Sequence, residues 1–195
     1  KSAASLCQTY YSSYMRFNNN PIVQKLNTRI HITYPDLLAN VSDIIQKQVN
    51  MRSRFYTRNN IETFHGSAEF IDQHSLNVRM SNDSSRKMTA SNFIIATGSR
   101  PYQPADIDFT HKHIFDSDSI LNMHFTPKKI IIYGAGVIGC EYASIFSNLG
   151  IKVDLINTRD RLLEFLDDEI SDALSYHLMD KGVTIRHREN FSGLD

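Results

Sequence analysis

The spacing of hydrophobic residues changes from a helical to an extended period near residue 61. Before that point an apolar stripe at helical spacing predicts a helix up to about Asn59, with Asp36 placed to cap its start. The stripe consists of Leu37, Leu38, Val41, Ile44, Ile45, Val49 and Phe55. The same spacing from Ala3 to Met15 predicts an earlier helix, which the Asn18–Pro21 segment ends.

After residue 61 the pattern predicts short strands separated by polar turns. These strands are expected over Ile61–Phe70, Ser75–Met80 and Arg86–Thr89, an arrangement typical of a β-meander. The apolar run Phe93–Ala96 predicts a further, buried strand. Prolines at positions 101 and 104 then make residues 100–116 a predicted linker.

Helical and extended segments alternate in the rest of the chain. Asp116–Ser119 is expected to start a short helix. The elements predicted after it are a strand over Ile130–Ile132, a helix over residues 140–150 closed by Gly150, a strand over Lys152–Ile156, a helix over Asp168–Lys181 capped by Gly182, and a strand over Val183–His187. Alternation of strands with helices predicts an α/β fold with a parallel sheet, here left unfinished.

The glycines between the first of these strands and its helix have the spacing of a dinucleotide-binding turn. Gly134 would permit the tight turn, Gly136 would let backbone approach a pyrophosphate, and Gly139 would let helix and strand pack closely. The helix N-terminus would then bind the anion without a lysine. The predicted contacts come from Gly134, Ala135, Gly136, Val137, Ile138 and Gly139.

The end of the next strand predicts which nucleotide binds. An acidic residue there suits the ribose of NAD, and a basic residue suits the 2′-phosphate of NADP. This tip instead reads Asn157, Thr158, Arg159, so we expect it to accept both NAD and NADP, with Arg161 as a further source of positive charge. A solvated surface loop is the alternative for the arginines. Asp154 precedes the strand end and is interpreted as structural.

Composition excludes several classes of function. The 21 basic and 21 acidic residues leave no positive excess for nucleic acid. No apolar run approaches the roughly 20 residues of a membrane helix, so no membrane association is expected. Cys7 and Cys140 form no C-x-x-C pair, which favours a reducing compartment and the cytoplasm. His111 and His113 lack a third nearby ligand, and no metal is predicted.

The segment Ile95–Pro101, upstream of Gly134–Gly136, resembles the two-dinucleotide flavoprotein disulfide reductase family. That resemblance implies FAD in one domain and a nicotinamide nucleotide in the next. It implies FAD contacts from Thr97, Gly98, Ser99 and the backbone of Ala68. Lys1-Ser2-Ala3 resembles the end of the family's Pro-Ser-Lys-Ala segment, whose lysine lies near the flavin. By the same resemblance Glu141 would face the flavin edge and pair with Lys1, which makes these two the catalytic candidates.

The resemblance also implies how the chain is divided. Residues 1–116 would be part of an FAD-binding domain with its linker, and residues 117–195 the first part of a Rossmann NAD(P)-binding domain. This two-dinucleotide flavoprotein fragment would be inactive alone, and a dimerisation domain outside it would make the parent a homo-oligomer.

Three longer segments, residues 108–111, 115–121 and 154–163, are similar to family members that pass hydride from NADPH to FAD and then to NAD. The resemblance therefore implies NAD(H) and NADP(H) as substrates. Dihydrolipoamide dehydrogenase is an alternative, although it would be expected to carry Glu where Asn157 stands. A nucleotide-binding module without catalysis is another alternative, in which Thr97–Ser99 would have no purpose.

Overall fold

A computed structural model describes residues 33–193 of the chain. In chain order its elements are α1 (Tyr34–Arg58), β1 (Gly66–Asp72), β2 (Ser75–Met80), β3 (Ser85–Thr89), a 3-10 helix (Ser119–Asn122), β4 (Lys129–Tyr133), α2 (Val137–Asn148), β5 (Lys152–Ile156), α3 (Asp168–Asp180) and β6 (Thr184–Arg186). The helix predicted between Ala3 and Met15, together with Cys7 and Lys1, lies outside the described residues.

The chain divides into two compact units. Within the described residues, one unit comprises residues 33–42 and 101–193, and the other comprises residues 43–100. The predicted domain boundary between residues 116 and 117 stays a prediction.

Helix α1 begins in a reciprocal cap between two side chains. The Asp36 carboxylate accepts the backbone N–H of Thr33 at 2.9 Å, and the Thr33 hydroxyl accepts the N–H of Asp36 at 3.3 Å. This arrangement is a capping box, so Asp36 caps the helix from inside its first turn rather than from the flanking position. Tyr34 and Leu37 are buried at this end. Leu38, Val41 and Ile44 are partly buried, whereas Ile45, Val49 and Phe55 are at least half exposed.

The predicted β-meander is present in the second unit. Strands β1, β2 and β3 form an antiparallel sheet in that order, with Ala68 opposite Val78 and Val78 opposite Arg86. The first strand starts at Gly66 instead of Ile61. A Cβ at Gly66 would lie 2.3 Å from the Arg79 carbonyl oxygen, so only glycine fits that paired position.

The prediction of a buried strand over Phe93–Ala96 is wrong. No β-structure forms there, and Ile94 is 93% exposed. A strand needs a neighbour to bond its backbone, and neither sheet between residues 33 and 193 includes this segment. Phe93 is less exposed than the residues that follow it, because its ring packs edge-on against Phe70 at 5.0 Å between ring centres.

The first unit contains the parallel sheet that the alternating pattern predicts. Strands β4, β5 and β6 lie in that order, with Ile132 opposite Leu155 and Leu155 opposite Ile185. The core between this sheet and the helices includes Ala143, Phe146, Val153, Leu155 and Leu178. Helix α2 starts at Val137, three residues before the predicted start at 140. Val137 and Ile138 are half exposed, so the first turn does not follow the buried apolar pattern from which the start was predicted.

Between residues 33 and 193, no helix is both long and apolar enough to cross a bilayer.

Candidate dinucleotide site

Two glycines shape the turn between β4 and α2. Gly134 has a φ of +108°, a conformation that side chains with a Cβ rarely adopt. Its N–H donates to the Ile156 carbonyl at 2.9 Å, which extends the β4–β5 ladder by one bond. A Cβ at Gly139 would lie 1.9 Å from the Gly134 carbonyl oxygen, so the helix approaches the turn as closely as backbone allows. The roles predicted for these two glycines agree with this geometry.

Gly136 differs from the other two because no contact among residues 33–193 requires a glycine there. Its φ is an ordinary −76°, and a Cβ at Gly136 would meet no atom of the described residues within 4 Å. The space beside Gly136 is therefore open from the outside, as the approach of a pyrophosphate requires. The geometry fits the predicted ligand, although no ligand is needed to explain the fold.

The N-terminus of α2 faces this space with backbone donors. An α-helix leaves its first N–H groups without internal acceptors, and the helical bonding begins here with Cys140 N–H donating to Gly136 O at 3.0 Å. Val137 and Ile138 are 50% and 55% exposed at the same end, whereas Ala135 is buried. Donors and the positive end of the helix dipole therefore coincide with an accessible surface suited to an anion.

The pairing of β4 with β5 places the end of β5 beside the glycine turn. Tyr133 is paired with Ile156, and the Gly134 bond to Ile156 carries the pairing to the last residue before Asn157. The two segments that the sequence assigns to one nucleotide therefore lie side by side at the carboxyl edge of the sheet, where α/β folds bind ligands.

Asn157 is buried and its amide is used by its own loop. Its Nδ2 donates to the Arg161 carbonyl at 2.8 Å, and its Oδ1 accepts the Arg159 N–H at 3.3 Å. These bonds fold residues 157–161 back on themselves. Asn157 therefore stabilises the conformation of the tip, and its contact with a ribose stays a prediction. Thr158 and Arg159 are exposed beside it.

Each charged side chain of the tip has an ionic partner. Arg159 Nη1 lies 2.9 Å from Glu164 Oε2, Arg161 pairs with Asp168, and Asp160 holds Arg188 through two bonds. The Arg188 guanidinium lowers the pKa of Asp160, and hydrogen bonding to Asp168 raises the pKa of Arg161. Both predicted arginines are exposed but ion-paired, so neither is simply solvated.

Asp154 lies away from this edge in a structural contact. Its carboxylate is 13% exposed and lies 2.7 Å from Lys129 Nζ on the neighbouring strand. The hydrogen bond from Lys129 lowers the pKa of Asp154. This placement agrees with the interpretation of Asp154 as structural.

The adjacent Cys140 and Glu141 of α2 have opposite environments. Cys140 is buried, and burial raises the pKa of its thiol to about 11, so it stays protonated and packed at neutral pH. Glu141 is exposed. Its pairing with Lys1 falls outside the described residues and stays a prediction.

Four residues assigned to FAD contacts, Ala68, Thr97, Gly98 and Ser99, lie in the second unit. Thr97, Gly98 and Ser99 are exposed, and Gly98 has a φ of +73°, with no atom of residues 33–193 within 4 Å of where a Cβ would lie. Ala68 is exposed on β1. Each is therefore accessible to a ligand, and their contacts with FAD stay predictions.

Sequence reasoning missed three residues that organise the tip. Glu164 pairs with Arg159, Arg188 pairs with Asp160, and His187 Nδ1 lies 3.2 Å from Asn157 Nδ2 and 3.3 Å from Arg159 O. His187 and Arg188 are 28 to 30 residues from their partners, so local spacing gives no signal for them. Glu164 follows Arg159 by five residues, and its charge was the available signal.

Among residues 33–193, no three His, Cys, Asp or Glu side chains come together as metal ligands.

The chain matches the protein family Pyridine nucleotide-disulphide oxidoreductase over residues 10–195. It is 53% identical over 184 residues to the soluble pyridine nucleotide transhydrogenase of Vibrio parahaemolyticus, covering 94% of this chain and 40% of that protein. It is also 53% identical to the soluble pyridine nucleotide transhydrogenase of Azotobacter vinelandii, covering 93% of this chain and 40% of that protein. The chain thus spans about 40% of the length of these curated relatives.

Solved structures show the same fold. The Cu(II) complex of the HOCl-induced flavoprotein disulfide reductase RclA from Escherichia coli is similar at a TM-score of 0.72 and 26% identity, covering 85% of this chain and 38% of that one. LpdA from Mycobacterium tuberculosis is similar at a TM-score of 0.75 and 18% identity, covering 96% of this chain and 42% of that one. At 18% identity the second likeness concerns the fold alone.

Proposed function

The chain belongs to the pyridine nucleotide-disulphide oxidoreductase family, and from that premise we propose that the full-length protein transfers hydride from NADPH through FAD to NAD⁺. One observation carries the proposal beyond family membership. The glycine turn lies beside a tip that has the uncharged Asn157 and the exposed cation Arg159 in place of a lone acidic residue. Such a tip suits both nucleotides, as an enzyme that uses one as donor and the other as acceptor requires.

The first unit would hold the nicotinamide nucleotide. The N–H groups at the start of α2 would bind its pyrophosphate, and the open space at Gly136 would admit it. Gly134, Ala135, Val137, Ile138 and Gly139 complete this binding segment.

Discrimination between the nucleotides would depend on charge at the tip. A carboxylate at position 157 would repel a 2′-phosphate, whereas the Asn157 amide does not. Arg159 supplies a guanidinium that can bind the phosphate in two hydrogen bonds. Thr158, exposed between them, adds a hydroxyl at the same edge.

FAD, when bound, supplies the hydride-carrying chemistry. The family resemblance assigns its contacts here to Ala68 and the Thr97–Ser99 turn, and the exposure of these residues fits that assignment. Lys1 and Glu141 would adjust the charge near the flavin. The protein otherwise orients the nicotinamide and excludes water, and no side-chain base is required.

We also propose the finer arrangement that the family layout implies. Residues 1–116 would belong to the FAD-binding domain with its linker, and residues 117–195 would start the Rossmann NAD(P)-binding domain. The full-length protein would be a cytoplasmic homo-oligomer. The word "soluble" in the relatives' name supports that location.

The test is hydride transfer by the full-length protein with FAD. One nucleotide site visited in turn by donor and acceptor implies ping-pong kinetics, because the flavin holds the electrons between visits. Stopped-flow mixing with NADPH alone should bleach the oxidised flavin band, and later addition of an NAD⁺ analogue should restore it.

Dihydrolipoamide is the control donor. Asn157 stands where a dihydrolipoamide dehydrogenase would be expected to carry Glu, so we expect the protein to be a different enzyme and dihydrolipoamide to reduce its flavin at no useful rate. Rapid reduction by dihydrolipoamide with little transfer from NADPH would favour that enzyme. A protein that binds nucleotides and transfers no hydride would be a binding module.

A further inference from the structure

The guanidinium expected to meet the 2′-phosphate already has a partner. Arg159 Nη1 lies 2.9 Å from Glu164 Oε2, and the two side chains are 65% and 41% exposed. A phosphate arriving at Arg159 must therefore compete with a carboxylate of the same charge sign. Because only NADP(H) carries a 2′-phosphate, this competition would affect NADP(H) and leave NAD(H) unaffected.

Glu164 is held near Arg159 by the turn that carries it. Leu162, two residues before it, is fully buried. Leu163 packs against the core with a φ of +47°, and its carbonyl accepts the Leu166 N–H at 2.8 Å. The buried Leu162 and the Leu163–Leu166 hydrogen bond fix the backbone on either side of Glu164, which keeps its carboxylate close to the Arg159 guanidinium.

The other guanidiniums of the tip are bound elsewhere. Arg161 is paired with Asp168, and Arg188 is held by two bonds to Asp160. Arg159 is therefore the guanidinium of the tip on which Glu164 acts, and it is held by a single bond.

We propose that Glu164 is a specificity-determining residue, an internal counter-ion that competes with the 2′-phosphate of NADP(H) for Arg159. By occupying the guanidinium it lowers affinity for NADP(H) and brings it closer to affinity for NAD(H). NAD(H) has no 2′-phosphate, so the Arg159–Glu164 pair can stay closed when it binds. The inference rests on the proposed function, because it requires Arg159 to contact the 2′-phosphate.

Titration calorimetry on the full-length, FAD-loaded protein tests the inference with NADP⁺ and NAD⁺ at low ionic strength. Glu164→Gln should lower the dissociation constant of NADP⁺ about two- to fivefold, the range expected for removing one exposed ion pair. The constant for NAD⁺ should not change. Added salt should shrink the gain, since it screens exposed charges.

Glu169→Gln is the matched control. It removes the same charge from the neighbouring first turn of α3 without touching the Arg159 pair, and both dissociation constants should stay as in the parent. An equal gain from Glu169→Gln would show a general charge effect and overturn the role of Glu164. Equal gains for both nucleotides in Glu164→Gln, or no gain, would overturn it as well.

A double-mutant cycle identifies the partner. In an Arg159→Ala background, Glu164→Gln should no longer improve NADP⁺ binding. A gain that persists without Arg159 would refute the counter-ion role. Failure of the proposed function is read separately, because hydride transfer from NADPH measured on the same protein can succeed while the Glu164 effect is absent.

Discussion

At the scale of single residues, the three glycines of the turn have separable purposes. Gly134 and Gly139 are required by the protein's own backbone, through a positive φ and a contact that leaves no room for a Cβ. Gly136 is free of both constraints and borders open space. The motif therefore divides into two glycines that the fold requires and one that it does not, and the ligand contact of Gly136 stays a prediction.

Alanine substitutions should separate these purposes. Gly139→Ala should lower the melting temperature of the full-length protein, because overpacking of this kind typically costs about 1–3 kcal/mol. Gly136→Ala should leave the melting temperature unchanged and weaken both NAD⁺ and NADP⁺, by about 5- to 150-fold if the methyl costs the same in the complex. Thermal melts and calorimetry measure the two effects. Equal destabilisation by both substitutions would contradict this division.

At the scale of elements, a single carboxylate organises the entry to the 3-10 helix. Asp116 accepts the Ser119 N–H at 2.7 Å and the Asp118 N–H at 3.1 Å. The Ser119 N–H and the Gln103 amide lower the pKa of Asp116 from 3.8 to about 2. The Asp116–Ser119 pattern predicted this start, since short side-chain acceptors satisfy the first N–H groups of a helix.

This cap gives a pH dependence of stability. Because the pKa of Asp116 is lower in the folded state, its stabilisation is complete above about pH 4 and is lost as pH falls toward about 2. Asp116→Asn keeps an acceptor but removes the charge, so it should cost at most about 1 kcal/mol of unfolding free energy at neutral pH and progressively less as pH falls toward about 2. Denaturant unfolding of the full-length protein at several pH values measures this difference.

Asp118→Asn is the control, because that side chain makes no capping hydrogen bond. A gap between Asp116→Asn and the parent that stayed constant with pH would mean that the Asp116 charge does not contribute.

At the scale of the whole molecule, the residues assigned to the two cofactors lie in two compact units. The 195 residues contain one glycine turn of the dinucleotide type, at Gly134–Gly139. The exposed Ile94 and Ile95 lead directly into the Thr97–Ser99 turn assigned to FAD. These features fit a chain that contributes part of an FAD site.

The isolated 195-residue chain should therefore retain little FAD. No second glycine turn in it can supply the N–H donors for the FAD pyrophosphate. Gel filtration after mixing with FAD, followed by a visible spectrum, should show no stoichiometric flavin band. The full-length protein is the positive control, and a yellow isolated chain would refute the expectation.

The sequence alone determined the elements whose cause is local. Glycine spacing, capping residues and the alternation of strands with helices predicted the β4–α2–β5 unit, the parallel sheet and the meander, because backbone sterics and hydrophobic period act over a few residues. Tertiary structure decided what depends on distant partners. Ile94 is apolar yet exposed, because no strand of the described residues pairs with its segment. The Asn157 side chain bonds to the backbone of its own loop. His187 and Arg188 reach that loop because β6 pairs with β5, a register that no local pattern encodes.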